Sequence, residues 1–177
     1  MPIIKTYEND EATGELKELY EKIIAMRGEV GNNAKLFSSS TELLKQQMSF
    51  IKYYMNHSTL SMPLLASIRV MVSTGQSCEF CVSFNTAMLV NMAGWSMEQV
   101  EVMRKDVTKA NLPKEEIALL EFVIKAVKNA HEVNAADMDT LRKLQWSDKD
   151  ILDAVNHGAR MLATDIIFNT FKIENYG

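Results

Sequence analysis

Apolar residues recur along most of this chain at intervals of three and four, which is the spacing of one face of an α-helix. From Glu11 they fall at Leu16, Leu19, Tyr20, Ile23, Ile24 and Met26, and Gly28 and Gly31 then stop the pattern. Ser39-Ser40-Thr41-Glu42 has serine with glutamate three residues later, a capping box that opens a helix through Leu43, Leu44, Met48, Ile51 and Tyr54-Met55. Leu60-Ser61-Met62-Pro63 starts the next, with proline in the first turn, and Leu64, Leu65, Ile68, Val70, Met71 and Val72 carry it to Gly75. Arg69 is its one charged residue, so this helix is expected to be nearly buried. A further helix runs from Cys78 to about Ala93, ended by Gly94. Ser96 caps a short one with Val100 and Met103.

Pro113 with Glu115 and Glu116 reads as another helix start, continuing to near His131, and Asn134 and Asp137 open the next. Ser147-Asp148-Lys149-Asp150 caps a last long helix through Ile151, Val155, Met161, Leu162 and Ile166 to about Phe171, with His157 and Asp165 embedded in it. No stretch alternates with period two between turn signals. The pattern therefore predicts an all-α fold of about eight helices in a single domain, residues 1–177, preceded by an extended arm over residues 1–9 whose Ile3-Ile4 pair packs on the body or on a neighbour.

Composition narrows what such a domain does. Nearly half of the 177 residues are apolar, enough for a core without staples. The net charge is −4 and no basic block occurs, which argues against nucleic acid as a partner. No run approaches a membrane span and no secretory leader opens the chain, so a cytoplasmic location is expected. The 12 methionines do not cluster and read as packing residues.

The sharpest chemistry lies in Gly75-Gln76-Ser77-Cys78-Glu79-Phe80-Cys81-Val82-Ser83-Phe84-Asn85, which holds both cysteines in a C-x-x-C at a helix start. Gly75 is expected to end the preceding helix and Ser77 to cap the next. A cysteine in the first helical turn feels the positive end of the dipole, which favours its thiolate, and the second lies one turn on, within disulfide reach. Two plainer readings stand beside the redox one. The pair could be half of a zinc site, but no second pair supplies the other ligands. The cysteines could also be small buried apolar residues. Neither a metal nor a cofactor is expected. Cys78, Cys81 and Asn85 share one helix face. Glu79 is either a base or a solvated first-turn acid, and Ser83 is adjacent but a poor base. His57 at a helix exit, His131 and His157 are the only imidazoles.

The stretch 60–106 resembles the alkylhydroperoxidase D-like branch of the carboxymuconolactone decarboxylase superfamily. The resemblance rests on the Leu60-Ser61-Met62-Pro63 lead-in, the apolar helix, Ser77-Cys78-Glu79-Phe80-Cys81, and the turn from Ala93-Gly94-Trp95-Ser96 into a short helix. It implies a thiol-dependent peroxidase or disulfide oxidoreductase in which Cys81 attacks the peroxide and Cys78 resolves it. It also implies a small-molecule peroxide or disulfide substrate, a dithiol reductant, and a trimer or hexamer. The family's proton relay departs here: its glutamate twelve residues before the first cysteine is Ala66, its histidine four after the second is Asn85, and a further histidine between the cysteines is Phe80. Asn85 can hold a hydrogen bond but carries no titratable proton. Two other readings are a decarboxylase-like enzyme acting on a small lactone, which does not need the cysteine pair, and a non-catalytic oligomeric relative.

Overall fold

Serine, asparagine and proline stand at the start of most of the helices. In the computed structural model, which describes residues 1–175, these are α1 Gly14–Arg27, α2 Asn32–Lys35, α3 Thr41–Met55, α4 Met62–Gly75, α5 Glu79–Ala93, α6 Met97–Lys105, α7 Lys114–Lys128, α8 Ala135–Lys143 and α9 Asp148–Phe171. Short 3₁₀ turns occupy Val107–Lys109 and Ala130–Glu132. The described residues contain no strand, so the fold is all-α, as the spacing predicts, with eight helices of substantial length and the single turn α2. Among the described residues no helix is long and apolar enough to cross a membrane.

The contacts gather the chain into two units, one of Met1–Asn56 with the residues from Ile167 on, the other of His57–Ile166. In the first, Tyr20 is fully buried and its hydroxyl donates to the Tyr7 carbonyl at 2.8 Å, while the Tyr7 N–H donates to Ser38 Oγ at 2.9 Å. The N-terminal arm lies on its own chain: the Ile3 N–H donates to the Phe171 carbonyl at 3.0 Å. Phe37 anchors the loop before α3 against Phe168, with ring centroids 6.0 Å apart. The cap of α3 is Ser40, which accepts from the Leu43 N–H, rather than Ser39. Ser39 instead spends its hydroxyl on the Lys5 carbonyl, so the expected box with Glu42 does not form.

The second unit is built on α4. Leu64, Leu65, Ala66, Ser67, Ile68, Val70, Val72 and Ser73 are all buried, which covers most of the helix circumference, as its single charge anticipates. α5 packs extensively along α4. Capping boxes start α6 (Ser96 with Gln99) and α8 (Asn134 with Asp137). Ser147 and Asp150 cap α9 reciprocally: the Asp150 N–H donates to Ser147 Oγ at 3.1 Å, and the Ser147 N–H to Asp150 Oδ2 at 3.3 Å.

The buried stripe of α9 runs Ile151, Ala154, His157 and Gly158, Met161 and Asp165. At Gly158, α9 lies close against α7 and α4. A Cβ there would sit 2.7 Å from Val123 Cγ1 of α7 and 3.5 Å from Ile68 Cγ2 of α4, so only glycine permits this approach without a shift.

Candidate active site: two thiols and a carboxylic acid

The turn between α4 and α5 positions the cysteines. Ser77 adopts a left-handed conformation, φ 52°, and the Cys78 N–H donates back to the Ser73 carbonyl at 3.1 Å while the Ser77 N–H donates to the Thr74 carbonyl at 3.3 Å. This pair of bonds is a Schellman motif that ends α4. Ser77 thus closes one helix instead of capping the next, which corrects the sequence expectation. Glycine usually holds that left-handed position, and here Gly75 lies two residues too early, as the last residue of α4. The residue at the N-cap of α5 is Cys78 itself, and Cys81 lies in its first turn.

Both cysteines are free and buried, 1% and 2% exposed. Between them and α9 lies the residue that sequence reasoning left unassigned. Asp165 is fully buried, and the sulfurs of Cys78 and Cys81 and a carboxylate oxygen of Asp165 all lie within 4.8 Å of one another. Ser73 Oγ donates to Asp165 Oδ1 at 2.9 Å. Oδ2 is buried and accepts no hydrogen bond of normal geometry, so the thiols act on it as close dipoles rather than as fully formed donors. Ser73 therefore organises two members of the group at once, holding the Cys78 backbone through its carbonyl and the Asp165 carboxylate through its hydroxyl.

At Cys81 the surroundings act against the helix dipole. The neighbouring Cys78 side chain, burial and the nearby Asp165 carboxylate all push the Cys81 thiol well above the ordinary range. Burial likewise raises the Asp165 carboxyl, with the side chains of Cys81, Ser73 and Cys78 pulling it part of the way back. In its resting state the group therefore holds Cys81 as a thiol beside a carboxyl whose proton affinity is enhanced. A dipole worth about 0.3–2 kcal/mol at a helix N-terminus does not outweigh burial next to an acid.

Asn85 is buried on the thiol face of α5 and its Nδ2 donates to the Cys81 carbonyl at 2.8 Å. Its Oδ1 accepts from Arg69 Nε of α4. Arg69 Nη1 donates to His157 Nε2 of α9 at 2.9 Å, and Nη2 lies 3.4 Å from Met88 Sδ. Burial first, and then the Arg69 charge, hold the His157 imidazole well below its ordinary value, so it is the neutral acceptor of this bond. His57 lies elsewhere in the unit, its Nδ1 accepting from the Leu60 N–H at 3.0 Å and its Nε2 lying 3.0 Å from Asp153. His131 is exposed, as are Glu79 and Ser83, whereas Phe80 is buried. Ala66, at the place of the relay glutamate, is fully buried in α4.

Two thiolates and a carboxylate are the donors a thiophilic divalent cation takes, but a closed structural zinc site needs four ligands. Among the described residues no fourth cysteine, histidine or acid joins the three, and the Ser73 hydroxyl is committed to Asp165. The signal that could have found Asp165 in the sequence was the phase of α9. The buried positions 151, 154, 158, 161 and 165 form one stripe, and an acid on that stripe demands a polar partner in the core.

Comparison with solved structures agrees with this architecture. An uncharacterized peroxidase-related protein from Silicibacter sp. TM1040 superposes with a TM-score of 0.84 at 22% identity, covering 99% of this chain and 96% of its own. The alkylhydroperoxidase AhpD core of an uncharacterized peroxidase-related protein from Ralstonia eutropha JMP134 gives 0.83 at 21%, covering 99% and 92%. A protein of unknown function from Agrobacterium tumefaciens, proposed to be an AhpD-type antioxidant defence protein, gives 0.67 at 22%, covering 80% and 95%. The chain therefore has the alkylhydroperoxidase D-like fold. No family model matches the sequence, and no curated protein resembles it at a significant level.

Proposed function

We propose that this protein is a thiol-dependent peroxidase that works through a reversible Cys78–Cys81 disulfide. The observation that carries the reading is the pair itself: two free cysteines at the start of a helix, their sulfurs within 4.8 Å, on an alkylhydroperoxidase D-like fold. Cys81 is the nucleophile. Its sulfur bonds to one peroxide oxygen as the O–O bond breaks, giving a sulfenic acid and an alcohol or water; sulfur is oxidised by two electrons and the peroxide is reduced. The Cys78 sulfur then displaces that hydroxyl, forming the disulfide and water. A dithiol reductant restores both thiols by exchange through a mixed disulfide. A small disulfide could enter the same cycle as substrate in place of peroxide. The chemistry is carried by the side chains alone, without a cofactor, and the decarboxylase reading leaves the cysteine pair without a task.

The experiment is mass measurement of the protein after dilute peroxide, followed by turnover with a dithiol. Formation of the Cys78–Cys81 disulfide and catalytic consumption of peroxide are expected. Thiols that stay reduced, or consumption no faster than by free dithiol, would overturn the reading. Self-association as a trimer or hexamer belongs to the same proposal and is supported by exposed apolar side chains such as Met92 and Leu152, 66% and 69% exposed. Light scattering should show a multiple of the 20.0 kDa chain at micromolar concentration.

A further inference from the structure

The peroxidase cycle needs a group that takes the thiol proton and gives it to the departing oxygen, and neither Ala66 nor Asn85 can do so. We infer that Asp165 is that group, a catalytic acid–base supplied by α9 and shared by both cysteines; this rests on the peroxidase reading above. Three observations converge on it. Asp165 is fully buried, yet its Oδ2 has no hydrogen-bond donor of normal geometry. Both reacting sulfurs lie within 4.8 Å of its carboxylate. Ser73 fixes the other oxygen, so the carboxylate is oriented, with Oδ2 left without a hydrogen bond of normal geometry. A buried carboxylate with an oxygen held only by thiol dipoles costs stability, and such costs gather at reactive sites.

In the first step the Cys81 proton passes to Oδ2, the sulfur attacks, the O–O bond breaks, and Oδ2 returns the proton to the leaving oxygen as the alcohol forms. In the second, Oδ2 takes the Cys78 proton and delivers it to the hydroxyl displaced from the Cys81 sulfenic acid, releasing water. Asp165 ends each step as the carboxylate it began as. The groups that act on it are Ser73 from α4 and Cys78 and Cys81 from α5; Cys81 in turn feels Cys78 and Asp165.

The test separates a proton carrier from a buried charge that merely holds the thiol up. In a Cys78→Ser background, the pH midpoint of Cys81 alkylation by iodoacetamide reports thiolate formation, and iodide leaves without needing a proton. Sulfenic acid formation is then timed with tert-butyl hydroperoxide, a poor leaving group, and with peracetic acid, a good one. With Asp165→Asn, alkylation should move to lower pH because the negative charge is gone. Oxidation by tert-butyl hydroperoxide should nevertheless fall by about 100-fold, the low end for general acid–base catalysis, and oxidation by peracetic acid should fall much less. If both oxidants instead react faster in step with alkylation, Asp165 is only a buried charge and the inference fails while the peroxidase reading stands. If Cys81 of the Cys78→Ser protein forms no sulfenic acid with either oxidant, both fail. Ser73→Ala keeps the carboxylate and guards against misfolding of the first variant. It should move the pH dependence of hydroperoxide oxidation upward without lowering the limiting rate, and an unmoved profile would count against the role given to the carboxylate.

Discussion

Two polar layers cross the same three helices of the second unit, and they are finished very differently. One consists of Arg69 of α4, Asn85 of α5 and His157 of α9. The other, one turn away on α4 and α5 and two turns away on α9, consists of Ser73, Cys81 with Cys78, and Asp165. In the first layer a guanidinium donates to both neighbours, and Asn85 uses both ends of its amide. In the second, one carboxylate oxygen and two thiols are left facing each other without a normal hydrogen bond. A buried network tied by several hydrogen bonds is rigid and specifies packing, whereas a layer of thiols and an acid with a single such bond among its side chains is a place where a proton or an oxidant finds work. The layers also differ in charge: the arginine layer keeps its histidine neutral, while the thiol layer gathers acids that resist losing their protons.

Substitutions can break this contrast one layer at a time. The largest effect is expected in the thiol layer. Cys81→Ser should abolish peroxide consumption, while Cys78→Ser should leave sulfenic acid accumulating at Cys81, detected by dimedone labelling; sulfenic acid confined to the Cys81→Ser protein would exchange the two roles. Next in size, Arg69→Met removes the donor shared by Asn85 and His157 and should cost about 3 kcal/mol in urea unfolding, since each buried acceptor left unpaired costs about 1–3 kcal/mol. A loss under 1 kcal/mol would show that these hydrogen bonds do not hold the layer together.

Smaller still, and opposite in sign, is the effect of removing the buried acid. The Asp165 carboxyl is raised above its ordinary 3.8, so the folded chain holds this proton more tightly than the unfolded one. Its contribution therefore favours folding below that value and is lost as pH rises through the folded value, leaving a cost at neutral pH. Asp165→Asn should stabilise the protein at pH 7 by about 1–2 kcal/mol, or about 2–4 °C in Tm per kcal/mol for a chain of this size. The gain should close toward pH 3.5. An equal gain at both pH values would assign it to packing. The smallest effect is expected at the turn: Ser77→Gly relieves a left-handed serine and should add about 0.5–1 kcal/mol.

The helices were legible because their signals are local. The spacing of Leu64 to Val72 and the cap at Ser61 are contained in one window, and the structure places α4 there. The C-x-x-C was legible for the same reason. What failed were signals that depend on competition or distance. Ser39, Ser40 and Ser77 all look like caps, and only the tertiary demand of the Lys5 carbonyl and of the left-handed turn decides which of them serves. The link between Asp165 and Cys81 spans 84 positions, and no periodicity reports which buried stripe meets which. Reading the thiol as activated by its helix failed for an energetic reason: the dipole is a local term visible in sequence, while burial beside an acid is not.

Gly158 gives α9 its closeness to α4 and α7, and it sits seven residues, two helical turns, from Asp165. Distance inside the thiol layer is thus adjustable from outside it. A methyl at position 158 would meet the Val123 side chain, and whatever part of that clash α9 absorbs would move the Asp165 carboxylate relative to the thiols while leaving the chemistry of each reacting group unchanged. Few positions in a protein offer such a mechanical handle on chemistry, and a graded series of side chains at 158 would trace how steeply the reaction depends on separation alone.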